Sequence, residues 1–239
     1  MAVNGFTNIV TDGLVLSLDA GNLKSYPTSG TTWTDLTRSG NNGVLNNFGG
    51  QFFTSNNSGG IVFDGIDSYT SVNNLIRTGL GFNGTIEVVT SCNGAIVNNE
   101  RTTNNVGNGY FYINSNRIYV GVNSYNQPPY SYGSTSVISG NSNSINYYAA
   151  SYQIPLTNGT MSGVFCINGV FENFSNSLLV ITSQIDNTLT NVDIGRDRNF
   201  TYGTGYCTSG TTSIVRIYNR PLSNSEILQN YNATKWRFI

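Results

Sequence analysis

The side chains that most often carry out catalysis are sparse in this chain. Its 239 residues include no histidine, which excludes serine–histidine and cysteine–histidine nucleophile pairs and histidine metal ligands. Glycoside hydrolysis needs two carboxylates about 5–9 Å apart across the scissile bond. The glutamates, however, are isolated from one another in the sequence: Glu87, Glu100, Glu172 and Glu226. We therefore predict that the protein is not an enzyme.

A tyrosine-rich segment is the first candidate for a contact surface. Tyr125, Tyr130 and Tyr132 surround the Pro128-Pro129 pair within a long predicted loop, residues 123–144. Tyrosine offers a rigid, amphipathic surface at a low cost in side-chain entropy. The segment could bind a glycan, contact a neighbouring subunit, or cap the edge of the core. The residues alone leave these three roles open.

Other residues with chemical potential have a simpler interpretation. Arg196 and Arg198 flank Asp197 in a predicted loop, where they could pair with a partner's carboxylate but more simply face solvent. The three cysteines, Cys92, Cys166 and Cys207, have the spacing of neither a disulfide framework nor a zinc site. We expect buried, inert thiols.

The composition excludes several classes of partner. Charged residues make up 10% of the chain and its net charge is -1, so no basic surface for nucleic acid is expected. No stretch of about 20 apolar residues occurs, and membrane insertion is therefore not expected. Residues 1–10 also lack the basic start and apolar run of a secretory signal. Hydrophobic residues at 38% are enough for a folded core.

The elements that would position these residues are mostly strands. Short β-branched and aromatic runs recur, for example at 14–18, 61–63, 69–72, 85–89 and 147–152. Residues 110–113 and 118–122 flank an Asn-Ser-Asn-Arg turn, and Asn168-Gly169 between two apolar runs is a strong hairpin signal. One helix is predicted, with Ser223 and Glu226 as a capping box and an end near Ala233. A second long loop is expected at 41–60. The pattern favours an all-β sandwich or jelly roll.

Four segments, in order along the chain, resemble one family. They are residues 12–22 followed by Trp33–Leu36, residues 61–69, the turn at 167–170, and residues 215–232. Together they resemble the concanavalin A-like lectin/glucanase superfamily in its laminin G-like form, and most of all the versions in virion proteins of large bacteriophages. The resemblance extends from about residue 12 to residue 234.

The resemblance implies a fold and a set of candidate sites. The expected architecture is a two-sheet antiparallel jelly-roll sandwich over residues 12–239, preceded by an N-terminal arm at 1–11, with Trp33 in its core. Relatives often bind calcium through aspartates at the rim, so Asp64 with Asp67 is the candidate metal site, and Asp193 with Asp197 a weaker one. The alternative is that these aspartates satisfy their own turns. No other cofactor is expected.

The same resemblance implies a virion protein. We expect a structural component of a phage particle, made in the host cytoplasm, that contacts other capsid or tail proteins and could bind host surface glycans or form homo-oligomers. A free lectin-like adhesin is the main alternative. A glycoside hydrolase is the least favoured, because the clustered carboxylates of the glucanase branch do not occur. The fold itself does not decide between these functions.

Overall fold

The computed structural model describes residues 8–73, 75, 83–98, 109–114, 117–122, 130–133, 144–153, 159–178, 191–197 and 208–238. Glu100, Tyr125, Arg198 and Cys207 lie outside these residues, as does much of the segment 123–144. Within them the regular structure is β-strand, one C-terminal α-helix, and two short 3-10 turns at Asn56–Ser58 and Lys235–Arg237. The prediction of an all-β protein with one late helix is confirmed.

The strands form two antiparallel sheets that stack as a jelly-roll sandwich. Sheet 1 contains β1 (Leu14–Asp19), β4 (Phe53–Thr54), β5 (Gly60–Asp64), β7 (Asn83–Thr90), β12 (Asn146–Gln153), β13 (Gly159–Ile167), β14 (Val170–Leu178) and β16 (Ser209–Tyr218). Its order is β14-β13-β12-β7-β16-β5-β4, and β1 also pairs with β16. Sheet 2 contains β2 (Thr32–Trp33), β3 (Gly43–Asn46), β6 (Tyr69–Val72), β8 (Gly94–Asn98), β9 (Gly109–Asn114), β10 (Arg117–Val122), β11 (Tyr130–Gly133) and β15 (Val192–Ile194). Its order is β11-β10-β9-β8-β15-β6-β3-β2.

The main core lies between the two sheets and follows from the two-residue period of the strands. In sheet 2, Phe111 and Ile113 are buried in this core, whereas Tyr112 between them is half-buried on the opposite face. In sheet 1, Ile86 and Val88 are its counterparts. Trp33 is fully buried here, as predicted. Burying each large apolar side chain contributes about 1.5–3 kcal/mol to stability.

A second, smaller core lies on the outer side of sheet 1, under helix α1 (Asn224–Thr234). The predicted capping box is confirmed, since Ser223 Oγ accepts from the Glu226 amide and the Glu226 side chain accepts from the Ser223 amide. Ile227 and Tyr231 of the helix pack on the sheet. The backbone before β1 is tied to the same helix, because the Val10 amide donates to Asn230 Oδ1 at 2.7 Å. No helix among the described residues is long and apolar enough to cross a membrane.

Several local predictions can be compared with the structure. The hairpins β9–β10 and β13–β14 form as expected, and Asn168 and Gly169 both have positive φ, 50° and 84°. Cys92 and Cys166 are buried free thiols, as expected. The prediction of a long loop at 41–60 was wrong in part, because β3, β4 and a 3-10 turn lie within it. The predicted loop 123–144 likewise contains β11. The division into an arm and a domain at residue 12 stays a prediction.

Candidate functional site

The outer face of sheet 1 is closed by helix α1 and offers no surface to a ligand where the helix covers it. Glu87 at its centre is fully buried. The carboxylate accepts at Oε1 from the Tyr147 hydroxyl at 2.7 Å and from Asn230 Nδ2 of the helix at 2.8 Å, while Arg216 Nη1 lies 3.4 Å from Oε2. Burial raises the pKa of the Glu87 carboxyl, although Arg216 acts in the opposite direction. This carboxylate joins the helix to the sheet and has no access to a substrate.

The outer face of sheet 2 is different, because Tyr112, Tyr119 and Arg196 are partly exposed there, whereas Asn98 and Asp193 are buried. Strand register places one row of residues across five strands: Val44, Ser71, Asp193, Asn98 and Tyr110. Further along the strands, Asn46 pairs with Tyr69, and Tyr112 pairs with both Ala95 and Tyr119. We call these residues, with Arg196 and Asp197, the sheet 2 surface. Its described side chains combine aromatic rings with hydroxyl, amide and carboxylate groups.

Arg196 and Asp193 organise the middle of the sheet 2 surface. Asp193 is fully buried, and its Oδ2 accepts from Arg196 Nε at 3.0 Å and from Nη2 at 2.6 Å. The guanidinium carbon lies 3.4 Å from the centroid of the Tyr69 ring, so the group lies flat on that ring. The Arg196 side chain is 29% exposed. The expectation that Arg196 faces solvent in a loop was therefore wrong: it forms an ion pair and a stacking contact.

Further polar side chains of the sheet 2 surface are held by hydrogen bonds. Asn98 is almost fully buried and donates from Nδ2 to Asp197 Oδ1 at 3.2 Å. Nearer the other edge of the sheet, Asn46 of β3 donates from Nδ2 to Ser71 Oγ of the neighbouring strand β6 at 3.0 Å. Of these groups, the side chains of Asn46, Arg196 and Asp197 are partly exposed and can offer hydrogen-bonding edges to the hydroxyl groups of a sugar. The positive charge of Arg196 is balanced locally by Asp193.

A pair of tyrosines forms the aromatic part of the sheet 2 surface. Tyr112 of β9 and Tyr119 of β10 are directly paired across the hairpin, with ring centroids 6.2 Å apart at an interplanar angle of 76°. Both are half-buried. The edge-to-face contact stabilises each ring in place. In the sheet, Tyr112 on β9 lies one strand from Asn98 on β8 and three strands from Tyr69 on β6. The tyrosine pair can stack against the apolar face of a pyranose ring.

Two of the tyrosines predicted from the sequence lie in the edge strand of sheet 2. Tyr130 and Tyr132 belong to β11, which pairs with β10, and their register partners are Val122 and the buried core residue Val120, whereas Tyr119 pairs with Gly133. Tyr125 lies outside the described residues. Their role in glycan or subunit contact stays a prediction. Sequence reasoning missed Tyr112 and Tyr119, although counting outward from the predicted Asn-Ser-Asn-Arg turn would have paired them.

The candidate calcium ligands lie in a turn between β5 and β6. Asp64 Oδ1 accepts from the amides of Ile66, Asp67 and Ser68 at 2.8, 3.3 and 3.2 Å, and from Ser68 Oγ at 2.8 Å. Desolvation raises the pKa of Asp64, but these hydrogen bonds outweigh it and lower the pKa overall. Asp64 thus satisfies its own turn, the alternative considered above. Among the described residues no group of three or more His, Cys, Asp or Glu side chains could hold a metal ion, and calcium binding at Asp64 and Asp67 stays a prediction.

Glu226 is engaged in structure rather than in a site. Its Oε1 pairs with Arg220 Nη2 at 2.6 Å, and its Oε2 accepts from the Ser223 amide at 2.8 Å. Arg220 lies 2.7 Å from Asp12 as well. The Arg220 hydrogen bond lowers the pKa of Glu226 to about 2. The cap and the ion pair thereby stabilise the start of α1.

Comparison with known proteins identifies the fold and nothing finer. No protein-family model matches the chain, and no curated protein matches it in sequence. A structure of botulinum neurotoxin type C, whose ability to enter cells depends on interaction with two ganglioside molecules, aligns with 93% of this chain and 51% of its own at a TM-score of 0.63 and 13% identity. The binding domain of botulinum neurotoxin serotype D aligns with 92% of this chain and 51% of its own, at a TM-score of 0.59 and 18% identity.

A third similar structure is an enzyme. The sialidase of Trypanosoma rangeli aligns with 96% of this chain but with 34% of its own, at a TM-score of 0.59 and 15% identity. This chain spans about half the length of the neurotoxin chains and about a third of the sialidase chain. At these identities the likeness shows a shared β-sandwich fold alone.

Proposed function

We propose that this chain is a non-enzymatic, glycan-binding structural protein of a bacteriophage particle. The glycan-binding part of this proposal is based on the composition of the sheet 2 surface. There the half-buried Tyr112–Tyr119 pair lies on the same sheet as a set of planar polar groups that includes Arg196, stacked on Tyr69 three strands away. Aromatic rings and fixed hydrogen-bonding groups on one surface are what recognition of a neutral sugar requires.

The charge of the surface favours a neutral ligand over an anionic one. Arg196 is paired with the fully buried Asp193 and so carries little net attraction for an acidic sugar. The chain as a whole has a net charge of -1. The fold shared with neurotoxin type C, whose ability to enter cells depends on two gangliosides, supports sugar binding in general. We expect the binding to change little with ionic strength.

An array of bacterial surface polysaccharides and oligosaccharides tests this proposal. We expect saturable binding to neutral glycans, weakened about tenfold or more by Tyr112→Ala or Tyr119→Ala in calorimetric titrations. Trp236→Ala is the matched control, because this aromatic residue is 58% exposed and follows α1 on the outer side of sheet 1. Absence of binding across the array, or equal losses in the control, would overturn the proposal.

The virion part of the proposal is supported by the family resemblance of four segments and by the sparsely charged composition. Mass spectrometry and cryo-electron microscopy of purified phage particles from the source provide its test. We expect the chain at many symmetric copies on the capsid or tail. Its absence from intact particles would favour the alternative, a free lectin-like adhesin.

The non-enzymatic part is supported by the environment of the carboxylates. Glu87 is buried under the helix, Asp193 is buried against Arg196, and Glu226 caps a helix. A hydrolase needs an accessible pair about 5–9 Å apart. We expect the purified protein to release no reducing sugar from glycans that it binds, and measurable turnover would contradict this assignment.

A further inference from the structure

A concave feature lies beside β4, at the edge of sheet 1. It is a cleft of about 280 Å³ between two loops, lined on one side by Thr28, Ser29 and Gly30 and on the other by residues 50–53. None of these residues belongs to the sheet 2 surface. The volume is close to the lower limit of small-molecule sites, about 300 Å³, so that the cleft suits one small ring rather than an extended chain.

The floor and one wall of the cleft are held by the framework of the sandwich. Tyr26 is fully buried, with its ring centroid 5.6 Å from that of Phe53, and its hydroxyl donates to the Gly30 carbonyl at 2.9 Å. On the opposite side, the Phe52 carbonyl accepts from the Val62 amide at 2.8 Å. The centroid of the Phe52 ring lies 5.1 Å from that of the Phe48 ring. A ligand would therefore meet a preformed shape.

The backbone of the cleft is unusual. Thr28 has a φ of 67°, a left-handed conformation that a β-branched residue rarely adopts, and strain of this kind is concentrated at functional positions. Gly30 and Gly50 also have positive φ, 89° and 66°. A Cβ added at either glycine would meet no atom within 4 Å. The peptide groups on both sides thus border open space in which a ligand can approach closely.

The chemistry of the lining identifies the class of ligand. Phe52 and Phe53 are half-buried aromatic residues, and Thr28, Ser29 and Gln51 bring hydroxyl and amide groups to the same cleft. No charged residue lines it. We propose that this cleft is a binding site for a single neutral sugar residue, which contacts the phenylalanines with its apolar face and the polar side chains with its hydroxyl groups. The site is independent of the sheet 2 surface and would make the protein bivalent for glycans.

Two serine-to-tryptophan substitutions, one inside the cleft and one outside it, test the cleft site. The probes are the methyl glycosides of glucose, galactose, mannose and N-acetylglucosamine, titrated at millimolar concentrations into ¹⁵N-labelled protein and followed by amide chemical shifts. Ser29→Trp fills the cleft, whereas Ser39→Trp makes the same change at an exposed turn outside it. The amide spectra of both variants show whether each is folded.

We expect at least one glycoside to shift the amides of residues 28–30 and 50–53, with affinity reduced about tenfold or more by Ser29→Trp and unchanged by Ser39→Trp. Tyr112→Ala should leave these shifts intact, which separates the cleft from the sheet 2 surface. The proposal is overturned if no glycoside shifts these amides, if Ser29→Trp leaves the shifts unchanged, or if N-acetyltyrosine amide shifts them while the glycosides do not.

Discussion

Asp193 illustrates how one buried residue shapes the exposed surface around it. Its carboxylate has no exposure and is compensated by two donors of Arg196, which in turn lies over Tyr69. An unpaired carboxylate in this position would be costly, since desolvation strongly disfavours an isolated buried charge. The buried carboxylate of Asp193 therefore fixes the conformation of Arg196 on the sheet 2 surface.

Replacing Arg196 with methionine should destabilise the protein markedly. We expect a loss of about 2–4 kcal/mol, because the buried Asp193 carboxylate would lose both hydrogen bonds from Arg196. The double variant Asp193→Asn with Arg196→Gln should lose less than Arg196→Met, because it removes the buried charge as well. Urea unfolding at neutral pH measures both. Wild-type stability in Arg196→Met would show that the pair has no structural role.

The sequence predicted some individual residues of the structure and not others. Trp33 in the core, and Ser223 with Glu226 at the helix start, follow from local patterns. The Asp193–Arg196 pair does not follow from a local pattern, because it depends on the turn at Gly195, whose φ is 86°. A Cβ there would come within 2.5 Å of the Phe63 ring, so that the turn follows from tertiary packing that the local sequence does not contain.

At the scale of elements, helix α1 is the feature that makes the two faces of the sandwich unequal. It covers the outer face of sheet 1 through Ile227 and Tyr231, and it carries Asn230 to Glu87. Its start is fixed by the capping box and by the Arg220–Glu226 ion pair. Loss of the helix would expose a buried carboxylate together with apolar surface.

The contribution of Glu226 should depend on pH in a defined direction. Its pKa falls from 4.5 to about 2 in the folded protein, so its stabilising effect is present above pH 4.5 and is lost as the pH falls toward 2. We expect Glu226→Gln to lower the melting temperature near neutral pH, and the difference from the wild type to shrink toward pH 2. Melting curves across this range measure the effect. A difference that persists undiminished at pH 2 would contradict it.

The β13–β14 turn is packed against the helix and should tolerate no side chain at Gly169. A Cβ there would lie 2.8 Å from Tyr231 Cε1, in addition to the strain of a φ of 84°. We expect Gly169→Ala to cost more stability than Gly40→Ala, which has a φ of 69° and open space around it. The backbone term alone is about 1–2 kcal/mol. Equal losses in urea unfolding would show that the contact with Tyr231 is unimportant.

Element prediction from the sequence succeeded where the local signal was strong. The two hairpins and the helix have turn or capping residues that define them. The strands β2, β3, β4 and β8 were missed, since each has at most five residues, too few for a recognisable alternating pattern. β11 was assigned to a loop for the same reason.

At the scale of the whole molecule, the sandwich has one helix-covered face and one face with partly exposed side chains. The two-sheet architecture could be predicted from the recurring strands and the family resemblance. The outer face that carries the helix could not be predicted from the sequence. It is determined by contacts between residues over a hundred positions apart, such as Glu87 with Asn230. The contact residues predicted from the sequence, Tyr130 and Tyr132, are accordingly different from Tyr112 and Tyr119 of the sheet 2 surface, and their role stays a prediction.

The central claim is that glycans bind on the sheet 2 surface. The most direct measurement is a crystal structure of the protein with the highest-affinity oligosaccharide from the array. We predict density for a sugar ring against Tyr112 and Tyr119, with hydroxyl groups within hydrogen-bonding distance of the polar groups around Arg196. A well-ordered oligosaccharide that makes no contact with these residues would contradict the account.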